Sequence, residues 1–201
     1  MASDLIKYGM LQFRKFEVIE SIETFDEVIV RDEGQRPFLW QRGLSLYYAN
    51  RFEEAAEQFR FDVSVNPNDT EESIWACLCE AQYSTFEMAR SNLLIVGRDS
   101  RPVMRVAYDL FKGVSTIQSL ETAASASPHA EFYSLLYQGL YYEAIRNSES
   151  AKSKILQSIN TEYALTQDDY MVSLARVHVH LRQWEGRDPV MSVGPDQVNE
   201  N

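Results

Sequence analysis

The residues best suited by type to bind a metal are two histidines and two aspartates: His178, His180, Asp168 and Asp169. A metal site on a helix uses ligands four residues apart, which share one face, whereas His178 and His180 face different sides. The two aspartates are better explained as the start of a helix, where a carboxylate accepts hydrogen bonds from the backbone. The sequence therefore predicts no metal site here.

The only cysteines, Cys77 and Cys79, are two residues apart. On a helix this spacing points their side chains roughly 200° apart, which suits neither a disulfide nor a shared metal. We expect buried thiols in a reducing compartment. The chain also has no glycine-rich phosphate loop, no nucleophile elbow and no acidic pair beside a plausible base. The sequence therefore predicts neither an enzyme nor a bound cofactor.

Three arginines form the one basic cluster in a chain of net charge −11: Arg98, Arg101 and Arg105. This charge argues against nucleic acid as the main partner, because phosphate binding needs a basic stripe. The cluster is a possible anion site. Ion pairs with acidic residues one repeat earlier are the favoured alternative, and these residues are Asp69, Glu71 and Glu72.

Helices must position all of these residues, because apolar residues recur at helical spacing along most of the chain. The clearest unit is the segment 38–67, FLWQRGLSLYYANRFEEAAEQFRFDVSVNP. Its small residues Gly43 and Ala55 allow two helices to approach closely, and Phe59 fills the space beside them. Pro67 ends the second helix because proline cannot continue one.

The same order of small and large residues recurs 34 residues away in both directions, as Gly9, Ser21 and Phe25 upstream and Cys77, Ala89 and Leu93 downstream. The unit resembles a tetratricopeptide (TPR) repeat, and self-similarity at this period is typical of solenoids. We predict an all-α, TPR-type α-solenoid of about five helix pairs with a C-terminal capping helix. The second helix of the third pair is expected over 86–96, and the fourth pair is expected to be irregular over 114–128.

The final helix is expected to open at a capping box over 166–169 and to end near Trp184. Residues 1–184 are therefore assigned to one helical repeat domain. Residues 185–201 contain two prolines and few apolar residues, and they are expected to be a disordered tail. No apolar run approaches the ~20 residues of a membrane span, and the first residues resemble no secretory signal. A cytoplasmic location is expected, with a plastid or other organelle as the alternative if a presequence was removed.

Four blocks extend the resemblance beyond the generic repeat: WQRGLSLYYANRFEEAAEQF, NPNDTEESIW, GRDSRPVMR and DDYM. They are similar to a TPR-like family of algae, plants and other eukaryotes, which is distantly similar to bacterial NlpI-type lipoproteins. The resemblance implies a helical adaptor without enzymatic chemistry. The chain shows no lipid-bearing cysteine after a signal peptide, so the anchoring and partners of the lipoproteins are not carried over.

TPR proteins that bind chaperones use Lys, Asn and Arg side chains to grip a C-terminal carboxylate. The matching positions of this chain hold none of these types, so this carboxylate clamp is absent; they are Ile6, Met10, Gln41, Ile74 and Leu78. In TPR arrays the first helices line a concave groove, and the residues expected there are Ile6, Met10, Phe13, Trp40, Leu44, Tyr47, Ile74 and Leu78.

Such an apolar stripe is more often core than binding surface, but other faces of these helices already supply core residues. The sequence therefore predicts a non-enzymatic protein-interaction scaffold or adaptor that binds an apolar peptide or helix in its concave groove. The alternative is a structural subunit or assembly factor of a larger complex, in which the groove is permanently filled.

Overall fold

The computed structural model describes residues 2–184, which form twelve α-helices and one 3-10 helix and contain no strand. The all-α class predicted from the sequence is confirmed. In chain order the helices are α1 Ala2–Arg14, α2 Val18–Arg31, the 3-10 helix Glu33–Phe38, α3 Trp40–Tyr48, α4 Phe52–Val65, α5 Thr70–Tyr83, α6 Phe86–Ser91, α7 Pro102–Lys112, α8 Ile117–Ala124, α9 Pro128–Ala144, α10 Ser148–Ser158, α11 Glu162–Thr166 and α12 Tyr170–Leu181.

The first ten α-helices pack as five pairs of sequence neighbours, from α1 with α2 to α9 with α10. In three pairs, a Cβ added to a glycine of the first helix would lie within 2.8 Å of a side-chain atom of the second: Gly9 against Phe25, Gly43 against Phe59, and Gly139 against Ile155. Side chains do not approach Cβ atoms so closely, so only glycine allows these helices to pack at this distance.

The turns inside these three pairs also share one backbone conformation. Phe16, Asn50 and Arg146 each follow the glycine by seven residues, and each has a positive φ between 59° and 68°. The left-handed conformation is costly for residues other than glycine, above all for an aromatic residue such as Phe16. The three turns therefore repeat both the close helix contact and the strained connection.

The third pair departs from the expected boundaries. Helix α6 ends at Ser91 rather than at residue 96. Asn92 is a weak helix former, and the β-branched Ile95 and Val96 further along disfavour helix. The extended segment is held along α5 because the carbonyl of Leu94 accepts hydrogen bonds from Ser73 Oγ at 2.8 Å and from Tyr108 OH at 3.0 Å.

The start of the final helix also differs from the sequence expectation. Thr166 ends the short helix α11, which was not anticipated, instead of opening a capping box. Helix α12 begins after Asp169, whose carboxylate accepts a hydrogen bond from the Met171 backbone N–H at 2.7 Å. Thr166 is therefore the last residue of α11, and Asp169 alone caps the start of α12.

Helix α12 is buried on nearly every side. Eight of its residues are less than one-tenth exposed, among them Leu174, Val177 and His178, which are fully buried. It packs against α1 and α10, and Asp168 just before it pairs with Arg14 of α1 at 2.7 Å. Its exposed residues Arg176 and His180 lie with half-buried Ser173 along one stripe of the helix, which gives it the polar outer face that a terminal helix needs. The predicted tail, 185–201, lies outside the described residues.

Candidate functional site

Most of the predicted groove is buried, and Tyr170 of α12 covers part of it. Five of the eight groove residues are at most 1% exposed: Phe13, Leu44, Tyr47, Ile74 and Leu78. The other three, Ile6, Met10 and Trp40, are partly exposed and pack against the core. Tyr170 of α12 stacks on Phe13 with ring centroids 5.6 Å apart and meets Trp40 edge-on at 5.2 Å.

A buried polar network fixes the other end of α12. Nδ1 of His178 lies 2.9 Å from Tyr48 OH, and Nε2 lies 3.1 Å from a carboxylate oxygen of Glu143. Arg182 Nε donates to Glu143 at 2.9 Å. Burial lowers the pKa of His178 to about 4 against the attraction of Glu143. The imidazole is therefore neutral. It shares a hydrogen bond with Tyr48 through Nδ1, whereas Nε2, although close to Glu143, makes no hydrogen bond within the described residues.

The remaining metal-type residues are dispersed. Among residues 2–184, no group of three or more His, Cys, Asp or Glu side chains is arranged to hold a metal ion. Cys77 and Cys79 are buried free thiols, and burial raises the pKa of Cys77 to about 12. Both are therefore protonated thiols at neutral pH.

Two of the three clustered arginines, Arg101 and Arg105, bond to other groups of the protein. Arg101 pairs with Glu71 at 2.7 Å, an ion pair between neighbouring repeats, and with Asp99 at 2.8 Å. Arg105 donates to the carbonyls of Asp99 and Ser100 at 2.6 and 3.1 Å. Arg98 is exposed and lines a surface cavity of about 540 Å³ together with Arg105. Arg101 therefore has a structural partner on each side.

One pocket remains beside the covered groove, with a volume of about 260 Å³. It lies where α3, α4, α5, α9 and α12 meet, and it is lined by Trp40, Leu44, Phe59, Glu71, Glu72, Trp75, Tyr133, Asp169, Tyr170 and Met171. Of the predicted groove residues, Trp40 and Leu44 belong to it. The sequence assigned other roles to Phe59, Glu71, Glu72 and Asp169. No signal placed them together with Tyr133 and Tyr170, because α9 and α12 lie far along the chain from α3.

Two of the three carboxylates on the pocket wall are held by neighbours. Glu71 accepts from Tyr137 OH at 2.7 Å in addition to its ion pair with Arg101. Asp169 accepts from Tyr133 OH at 3.0 Å and from Tyr163 OH at 2.9 Å. These hydrogen bonds satisfy both carboxylates within the protein.

Glu72 differs from the other two. Within residues 2–184 it pairs with no cation, and no side chain donates a hydrogen bond to it. Burial, together with the charges of Asp69 and Glu71, raises the pKa of Glu72 to about 8. Burial also raises the pKa of the neighbouring Asp62 to about 8, although Gln58 donates to it at 2.9 Å. Among the described residues, Glu72 is therefore the carboxylate of the pocket wall that has neither an ion pair nor a side-chain hydrogen bond.

Comparison with models of protein families gave no match, and a search of curated protein sequences gave no significant match. None of the helices within residues 2–184 is both long enough and apolar enough to cross a membrane. The pocket beside Trp40 is the candidate functional site on geometric grounds alone.

Proposed function

We propose that this protein is a non-enzymatic, TPR-type interaction scaffold that binds a short segment of a protein partner at the pocket beside Trp40. Support for the TPR arrangement comes from the five helix pairs and from the contact of Gly9, Gly43 and Gly139 with the partner helix. Scaffolds of this kind present a concave surface built by successive first helices.

The observation that carries the proposal is the pocket itself. Two first-helix residues, Trp40 and Leu44, line it, and Tyr170 of α12 covers the neighbouring groove residue Phe13. Its volume of about 260 Å³ is below the ~300–1,000 Å³ of pockets that hold drug-sized ligands. The opening therefore accommodates a side chain of a bound peptide rather than a whole helix.

The test is a pull-down from native extract with wild type, Trp40→Ala and the matched control Tyr83→Ala. Tyr83 is a half-exposed aromatic outside the pocket. Truncating an anchoring aromatic residue commonly costs about 2 kcal/mol, roughly thirty-fold in affinity. We expect Trp40→Ala to lose the partner while Tyr83→Ala keeps it, with helical circular-dichroism spectra for both. A folded Trp40→Ala variant that retains its partner at full strength would refute the proposal.

A structural subunit or assembly factor of a larger complex is the second candidate function, because the buried groove residues leave little surface for an exchangeable partner. Size-exclusion chromatography of native extract separates the two. An exchangeable partner supports the scaffold, whereas a stoichiometric complex that survives dilution supports the structural subunit.

A further inference from the structure

The pocket beside Trp40 is walled by four aromatic side chains from four helices. Trp40, Trp75, Tyr133 and Tyr170 belong to α3, α5, α9 and α12 respectively. The faces of aromatic rings carry partial negative charge and attract cations, and the attraction increases where water is excluded. In this protein Arg101 lies over the ring of Tyr133 and Arg14 over the ring of Tyr170, at 5.8 and 5.5 Å from the ring centroids.

Both arginines are committed to other carboxylates. Arg101 pairs with Glu71 and Asp99, and Arg14 pairs with Asp168. Glu72 therefore remains the wall carboxylate without a partner. A buried carboxylate is costly to ionise alone, and an opposite charge within about 4–6 Å favours its ionised form.

The single free carboxylate and the small volume of the pocket distinguish between the side chains of lysine and arginine. A guanidinium prefers a flat, two-point contact with a carboxylate, whereas an ammonium is a compact charge that suits a single carboxylate in a small space. The pocket offers one unpaired carboxylate, Glu72, and about 260 Å³. Lysine fits it better than arginine.

We propose that this pocket binds the ammonium group of a lysine side chain, placed between the aromatic rings and the carboxylate of Glu72. The inference rests on the proposed function, since the lysine is supplied by the partner peptide. The same ammonium chemistry is present in a free alkylamine, and the test below separates these sources.

Protonation supports the assignment. With its pKa raised to about 8, Glu72 is mainly protonated at pH 7 in the empty pocket, and an ammonium ion would release that proton. The charged and titratable groups around Glu72 are Glu71, Asp169, Tyr133 and Tyr170 on the wall, and Asp62, Asp69, Asp99, His129, Tyr137, Arg14 and Arg101 nearby.

The test is isothermal titration calorimetry with three probes: a blocked pentapeptide of glycines around one lysine, its norleucine analogue, and n-butylamine. The proteins are wild type, Glu72→Gln and the control Glu57→Gln, which changes an exposed glutamate of α4. We expect the lysine peptide to bind wild type and Glu57→Gln, at least ten-fold more weakly to Glu72→Gln, and to release protons at pH 7. Because Glu72→Gln removes a buried acid, this variant is expected to fold.

Each outcome has a definite meaning. Equal binding of the lysine and norleucine peptides, or unchanged binding to Glu72→Gln, would overturn the ammonium site and leave the scaffold proposal intact. Binding of n-butylamine as tight as that of the peptide would support the ammonium site and contradict a peptide partner. If the Trp40-dependent partner of the pull-down is displaced by the lysine peptide and not by its norleucine analogue, both proposals are supported.

Discussion

At the scale of single residues, the glycines that separate helix from helix are the most sensitive positions. A Cβ on Gly43 would lie 2.6 Å from Cζ of Phe59, which is itself 1% exposed. The ring has no free space to move into, so overpacking is expected to cost about 1–3 kcal/mol. We predict that Gly43→Ala lowers the free energy of unfolding by this amount in a urea titration.

The matched control is Gly34→Ala in the 3-10 helix. A Cβ there would approach only the exposed carboxylate of Asp32, at 3.2 Å, and this side chain can move. We expect this variant to unfold close to wild type. Equal midpoints for Gly43→Ala and wild type would show that the glycine contact is not tight.

Residue-scale prediction from the sequence succeeded where partners are close in the chain. Gly43 and Phe59 belong to one helix pair, so their spacing shows in the sequence and predicts their contact. Trp75, Tyr133 and Tyr170 meet only because three distant helices converge. No periodicity connects such residues, and the pocket therefore could not be predicted.

At the scale of secondary-structure elements, α12 is the helix on which the others depend. It covers Phe13 and contacts Tyr48, and its residues Leu174 and Val177 are fully buried. Removing it would expose the apolar sides of several helices at once, and each large buried side chain contributes roughly 1.5–3 kcal/mol. We predict that a chain ending at Gln167 loses its cooperative thermal transition and associates at high concentration.

A chain ending at Trp184 is the reference, since it retains every described helix. The measurements are thermal circular dichroism and size-exclusion chromatography. A chain ending at Gln167 that stays monomeric and melts as sharply as the reference would show that α12 is dispensable.

Element-scale prediction had a comparable limit. The existence of most helices followed from apolar spacing. The place of α12 within the fold could not be predicted from the sequence. Apolar residues on α12 indicated a helix, but spacing alone does not tell whether such a helix covers an end or fills a groove.

At the scale of the whole molecule, buried titratable groups set how stability depends on pH. The pKa of Asp62 is raised from 3.8 to about 8, so its contribution to stability is complete below pH 4 and is lost as pH rises toward 8. Glu72 acts in the same direction. The pKa of His178 is lowered from 6.5 to about 4, so its contribution is lost as pH falls through that range.

We therefore predict that the free energy of unfolding decreases as pH rises from 6.5 to 8, where the two acids act without opposition from His178. One group contributes at most about 1.4 kcal/mol per pH unit. Asp62→Asn keeps the acceptor for Gln58 and mimics the protonated acid. This variant should reduce the fall of the unfolding free energy by the contribution of one titrating group, as measured by urea unfolding at pH 6.5, 7.2 and 8.

The matched control is Glu57→Gln, because it changes an exposed carboxylate that faces solvent. Its pH profile should match that of wild type. A decline that is equally steep in Asp62→Asn would mean that Asp62 is ionised in the folded protein.

The burial of α12 among earlier helices has a consequence for how the chain reaches its native state. Most helices pair with a sequence neighbour, but the ion pair of Arg14 with Asp168 joins residues 154 positions apart. Contacts of long sequence separation form late, because the chain entropy of closing a large loop must be overcome first. During synthesis, the apolar surfaces around Phe13 and Tyr48 stay uncovered until α12 has left the ribosome. Over this interval the chain is prone to aggregate, and we expect a molecular chaperone to bind it.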